Sequence, residues 1–156
     1  MKKILFVCTG NTCRSPIAEG IFNDCAKKSG LGDMFRADSA GIDAIEGDIV
    51  SPKSVEVCRE NGIDIQFHTV RQIDEAMLEE SDLVFGMTMN HRDLLRKRYP
   101  QYSNKIYMLG EYAGTVCCSG DIPDPFGLPL DRYRKTYRIL DGYVGNLMEH
   151  LKEEQS

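Results

Sequence analysis

The chain has 156 residues, 42% hydrophobic and 28% charged, with a formal net charge of −5. That length suits one domain with a real core, and the acidic balance argues against a general nucleic-acid binder, which needs a basic face for phosphate backbones. No apolar run nears the roughly 20 residues of a bilayer span, and "KKILFVC" is too short, and too soon followed by Asn11, Arg14 and Glu19, to be a signal peptide, so a cytoplasmic protein is expected.

"KKILFV" reads as a short buried strand. Ser15 to Ser29 reads as a helix, with Ile17, Ile21, Phe22 and Cys25 on one face and Gly30 as its stop. "MFRADSAG" is a second strand ending in a turn. Pro52 opens a helix through "KSVEVCREN", and Gly62 closes it. "QIDEAMLEE" gives a further helix, "DLVFGMT" a third strand, "NHRDLLRKRY" a helix stopped by Pro100, and "KIYML" a fourth strand. A long loop, Gly110 to Pro129, leads into the last helix. Its stripe of Tyr133, Tyr137, Leu140, Val144, Leu147 and Leu151 reads as core packing. Alternating strands and helices predict an α/β fold: a parallel sheet covered on both faces, forming a single three-layer domain over residues 1–156. Such sheets bind ligands beyond the carboxyl ends of their strands. The segment after the first strand and the long loop after the fourth both fall at that edge, and loops longer than ~12–15 residues in compact domains are usually functional.

The segment after the first strand is "VCTGNTCRSP", in which Cys8 and Arg14 form a C-x₅-R pattern. Successive backbone N–H groups across Thr9, Gly10, Asn11, Thr12, Cys13, Arg14 and Ser15 can cradle an anion, helped by the partial positive charge of the helix start. Arg14 adds a fork able to grip two phosphate oxygens. The same field favours a thiolate at Cys8, a nucleophile placed under a cradled phosphate. Neither G-x₄-G-K-[ST] nor G-x-G-x-x-G occurs, so nucleotide-loop alternatives fail. An isolated cysteine is commonly just a buried thiol, but the register of Cys8 with Arg14, Ser15 and a helix start argues for chemistry. Ser15 could cap the helix, and Asn11 tolerates a left-handed backbone. In the long loop, Asp124 precedes Pro125; Asp-Pro is also a common turn signal, and Asp121 is a competing carboxylate. Six cysteines, Cys8, Cys13, Cys25, Cys58, Cys117 and Cys118, lack paired metal-ligand spacing, so free thiols and no metal are expected.

These residues resemble the low-molecular-weight protein tyrosine phosphatases. The resemblance runs along nearly the whole chain: "VCTGNTCRSP", "DSAG" at Asp38 to Gly41, Gly62, Ile63 and His68, "DLVFGMT", and "DPFG" at Asp124 to Gly127. It implies a four-stranded parallel sheet, a phosphocysteine intermediate and no cofactor. It also implies Cys8 as nucleophile, Arg14 as phosphoryl clamp and Asp124 as general acid. Asn11, Ser15, Ser39 and His68 would form a supporting polar network, and Cys13 would be the redox partner that shields Cys8 from irreversible oxidation. The partners implied are phosphorylated protein substrates, met by a monomer without nucleic acid or membrane.

Within the family, many tyrosine-directed members carry Ile where this chain has Thr12, and an aromatic pair where it has Phe126 followed by Gly127. Both features resemble the protein arginine phosphatase branch. A threonine hydroxyl can accept from a guanidinium N–H, whereas Ile offers only apolar contact. Asp43, Glu46 and Asp48 supply acid in place of an aromatic wall. The expected substrate is protein phosphoarginine, with phosphotyrosine as the alternative. A thioredoxin-coupled arsenate reductase is more remote, because it needs a further reactive cysteine pair mid-chain, where "EESDLVFGMTMNH" has none.

Overall fold

The protein is described by a computed structural model over residues 1–114 and 119–155. In chain order it runs β1 (Lys2–Cys8), α1 (Arg14–Lys28), β2 (Phe35–Gly41), α2 (Pro52–Glu60), α3 (Glu75–Glu80), β3 (Leu83–Gly86), α4 (Met89–Arg98), β4 (Ile106–Met108), α5 (Leu109–Tyr112) and α6 (Leu130–Glu154). The four strands form one parallel sheet in the order β2-β1-β3-β4.

Alternation along β1 sorts its side chains onto two faces. Ile4, Phe6 and Cys8 join one apolar cluster with residues of α1, α2 and α6, while Leu5 and Val7 join another with residues of α3 and α4. Both faces are therefore covered, giving the expected three layers. The α6 stripe is buried throughout: Tyr133, Tyr137, Leu140, Val144, Leu147 and Leu151 all enter the first cluster. Sheet order reverses at β1, with β2 on one side and β3 on the other, so the crevice at its carboxyl end is the switch point where such sheets bind ligands. Cys8 is the last residue of β1, paired with Gly41 of β2. A Cβ at Gly41 would stand 2.6 Å from Thr9 O and 3.0 Å from Asn11 N, so only glycine lets β2 approach the loop this closely.

Several boundaries differ from the sequence reading. The third helix starts at Glu75 rather than Gln72, because Asp74 accepts from Met77 N at 2.9 Å and Ile73 is buried against the sheet instead. Met87 and Thr88 leave β3, and the Thr88 side chain caps α4 through His91 N. The stretch read as one loop from Gly110 begins inside α5, and a 3-10 turn over Pro100–Lys105 precedes β4. Cys117 and Cys118 lie outside the described residues.

Candidate active site

The loop Thr9–Cys13 joins β1 to α1 at the switch point. Among the described residues, none of the N–H groups of Thr9, Gly10, Asn11, Thr12 and Cys13 donates to a protein acceptor. Clustered donors that the chain itself does not use are suited to an external anion. Several of its carbonyls, by contrast, are used within the chain: Thr9 O accepts from Asp43 N at 2.9 Å, Thr12 O accepts from Ser51 N at 3.0 Å and Ser54 Oγ at 3.1 Å, and Cys13 O accepts from Ile17 N at 3.2 Å.

The loop is held by a network centred on Asn11, which is fully buried and has φ 56. Its Oδ1 accepts from Arg71 N at 3.0 Å and lies 3.0 Å from His68 Nε2, so that ring nitrogen carries a proton. Its Nδ2 donates to Ser15 Oγ at 2.8 Å and Ser39 Oγ at 3.0 Å. Ser39 in turn donates to Glu19 Oε1 at 2.8 Å. Because Ser15 Oγ accepts from Asn11, its own proton is free for the Cys8 sulfur 3.0 Å away, a better partner than Ala40 O at 3.4 Å. Ser15 therefore does not cap α1; it lies inside the helix and serves the thiol. Burial pushes the Glu19 carboxyl up and the His68 imidazole down, so both lean towards their neutral forms.

Arg14 is 5% exposed and reaches the same cavity. Nη1 donates to Ile122 O at 3.0 Å and Nη2 lies 3.6 Å from Asp124 Oδ2. Its Nε has no partner among the described residues, so one edge of the guanidinium remains unspent. The cavity is about 270 Å³ and is lined by Cys8, Thr9, Gly10, Thr12, Cys13, Arg14, Asp43, Ile45, Asp48, Asp124 and Phe126. Of the two competing acids, Asp124 lines it; Asp121 instead accepts from Met89 N at 2.8 Å at the start of α4. Asp124 Oδ1 also accepts from Phe126 N at 3.1 Å, which fixes the turn and holds Phe126, 69% exposed, at the rim. Cys13 Sγ lies 3.5 Å from Tyr133 Oη, which also accepts from Ser51 Oγ at 3.2 Å. Burial pushes the Tyr133 hydroxyl up to about 12.

Every residue singled out in the loop, together with Ser39, His68, Asp124 and Phe126, converges on this cavity or its supporting network. Glu19, Arg71, His91 and Tyr133 were not anticipated. Glu19 had a signal, since it follows Ser15 by four residues and so shares its helix face. The other three come from distant elements and carried none. Among the described residues, no group of three His, Cys, Asp or Glu side chains is placed to share a metal ion, and no helix is long and apolar enough to cross a membrane.

A thiol under an anion cradle, an arginine fork and a facing carboxylate, at the switch point of a parallel sheet, define a cysteine-dependent phosphatase. Residues 3–156 match the family Low molecular weight phosphotyrosine protein phosphatase, and the chain belongs to it. It is 36% identical over 152 residues to a protein-arginine-phosphatase of Bacillus subtilis, covering 97% of this chain and 98% of that one. It is 43% identical over 145 residues to the low molecular weight protein-tyrosine-phosphatase PtpB of Staphylococcus haemolyticus, covering 93% and 96%. Among solved structures, a mutant of the arginine phosphatase YwlE with a phosphorylated active-site serine superposes with a TM-score of 0.89 at 35% identity, covering 96% of this chain and 95% of that one.

Proposed function

We propose that this chain hydrolyses phosphoarginine on protein substrates through a phosphocysteine intermediate on Cys8. The observation that carries the mechanism is the unspent edge of Arg14: a buried guanidinium with a partnerless Nε, in a cavity shared with Cys8 and Asp124. A phosphoryl group seated on the loop amides and on Arg14 Nε and Nη2 would face the Cys8 sulfur. The thiolate attacks phosphorus, and the bond from phosphorus to the leaving nitrogen breaks as Asp124 gives that nitrogen its proton. Water then attacks the phosphocysteine, Asp124 takes the proton of that water, and Cys8 leaves as thiolate while inorganic phosphate departs. Ser15, oriented by Asn11, donates to the sulfur at both thiolate stages.

For the leaving group, support comes from Thr12, Asp43 and Asp48 on the cavity wall, which suit a cationic, hydrogen-bonding group. Phosphotyrosine is the second reading, favoured by Ile45 and Phe126 on the same wall, which could hold a phenyl ring. The arsenate reductase reading gains nothing: among the described residues the cavity contains only Cys8 and Cys13, and burial pushes the Cys58 thiol up to about 12. We also propose that residues 1–156 act as one domain, a monomer in the cytoplasm. Among the described residues four thiols, Cys8, Cys13, Cys25 and Cys58, are free, which suits a reducing compartment. Rapid quench of a phosphoarginine peptide reaction followed by mass spectrometry tests the mechanism. Phosphate should be found on Cys8, and normal turnover by Cys8→Ser would overturn it.

A further inference from the structure

Thr9 follows Cys8 and is exposed on the cavity wall. Its Oγ1 lies 2.9 Å from Nε2 of His91, a residue 4% exposed at the start of α4. The other ring nitrogen, Nδ1, has no partner among the described residues. Core packing alone does not account for such a histidine. Leu or Met would fill the space without desolvating two ring nitrogens, one of them left idle. The neighbouring strand end makes room for it, since a Cβ at Gly86 would stand 3.0 Å from His91 Cβ. Buried N–H groups without acceptors are rarer than idle lone pairs, so the proton belongs on Nε2, donating to Thr9 Oγ1. That bond fixes the Thr9 side chain and leaves its own proton and second lone pair available to the cavity.

The loop amides and Arg14 surround the floor of the cavity, where the phosphoryl group sits in the reading above. Side chains on the walls meet what is attached to it. We infer that Thr9, held by His91, is a second determinant of leaving-group chemistry: a hydroxyl wall for a nitrogen-rich leaving group that donates hydrogen bonds. Thr9 touches the substrate, and His91 is a positioning residue acting through it. The inference rests on the cavity being a phosphoryl-transfer site and deepens the phosphoarginine reading by naming groups that recognise the guanidinium.

The test uses five variants: Thr9→Val, which keeps the shape without the hydroxyl; Thr9→Ser; His91→Leu; His91→Gln, whose amide nitrogen can replace Nε2; and the Thr9→Val/His91→Leu double. For each, kcat/KM is measured on phosphoarginine and phosphotyrosine peptides of identical flanks, together with the Ki of inorganic phosphate. Thr9→Val should lower the arginine-to-tyrosine ratio by about 3- to 10-fold, the size of one lost hydrogen bond. His91→Leu should lower it by the same factor, the double should fall no further, and Thr9→Ser and His91→Gln should keep most of the parent ratio. Phosphate Ki should stay unchanged, because the floor is intact. A ratio unmoved by Thr9→Val, or additive losses in the double, overturns the inference; Thr9→Val leaves His91 in place, so a folding defect in His91→Leu does not blunt the test. A parent that prefers phosphotyrosine sinks the phosphoarginine reading alone, since Thr9→Val must still move the ratio towards phosphotyrosine if the wall acts as inferred.

Discussion

Replacing Asn11 should unsettle the anion loop more than any other single change outside Cys8 and Arg14, and two replacements separate the causes. Asn11 is fully buried, makes four hydrogen bonds and holds φ 56. Asn11→Gly removes the side chain but accepts the backbone; Asn11→Ala removes the side chain and strains the backbone. Either change leaves His68 Nε2–H and Arg71 N–H without their acceptor, each worth about 1–3 kcal/mol. Water entering the space recovers part of that, so Asn11→Gly should cost about 2–4 kcal/mol. Alanine in the left-handed region adds about 1 kcal/mol. In this chain a loss of 3 kcal/mol lowers Tm by about 6–12 °C. Urea unfolding of the three proteins, followed by circular dichroism, measures both quantities. Alanine should be less stable than glycine, the reverse of the usual order in regular structure. An alanine variant as stable as the glycine one, or a loss below about 1 kcal/mol in both, would refute the account of the network.

Thr12→Ile should shift relative kcat/KM from phosphoarginine towards phosphotyrosine by roughly 5- to 150-fold, the cost of one unpaired donor, read on matched peptides. Asp124→Asn should slow turnover of the phosphotyrosine peptide by about 10²–10⁴-fold, while Asp121→Asn, which keeps an acceptor for Met89 N and loses only a charge at the start of α4, should leave chemistry near the parent rate. Burial and the nearby Arg14 hold His91 at about 4, below its ordinary 6.5. An unfolded chain therefore takes up a proton before the folded one does. Stability from this group is complete above pH 6.5 and is lost as pH falls towards 4, by about 3 kcal/mol in all; His91→Gln should flatten that part of the stability curve. Mild peroxide should inactivate the enzyme reversibly, with a Cys8–Cys13 disulfide in the peptide map, and Cys13→Ala should recover less after thiol treatment.

The parts of the site legible in the sequence were those whose chemistry is local. Cys8 to Ser15 lie in one turn, so spacing alone places thiol, amides and guanidinium together. Asp124 was legible over Asp121 through its adjoining Pro125 and the family resemblance, and the fold adds the physical reason: Asp124 lines the cavity, while Asp121 turns away to accept from Met89 N. The α6 stripe was plain because its period matches a helix of 25 residues. The third helix was misplaced at its start because "QID" continues the helical pattern, whereas the tertiary pairing of Gln72 beside Gly41 and burial of Ile73 override it. His91 and Tyr133 could not be found by pattern. His91 reaches the site because α4 begins at the edge where β1 ends, and Tyr133 because α6 packs on α1; both facts belong to the assembled sheet.

The most direct measurement is kcat/KM of the parent on phosphoarginine and phosphotyrosine peptides of the same flanking sequence, with Cys8→Ser alongside. The cavity described here, with a threonine and acidic wall over a thiol, an arginine and a carboxylate, predicts a higher value for phosphoarginine and none for Cys8→Ser. A higher value for phosphotyrosine contradicts the substrate assignment, and undiminished hydrolysis by Cys8→Ser contradicts the mechanism itself.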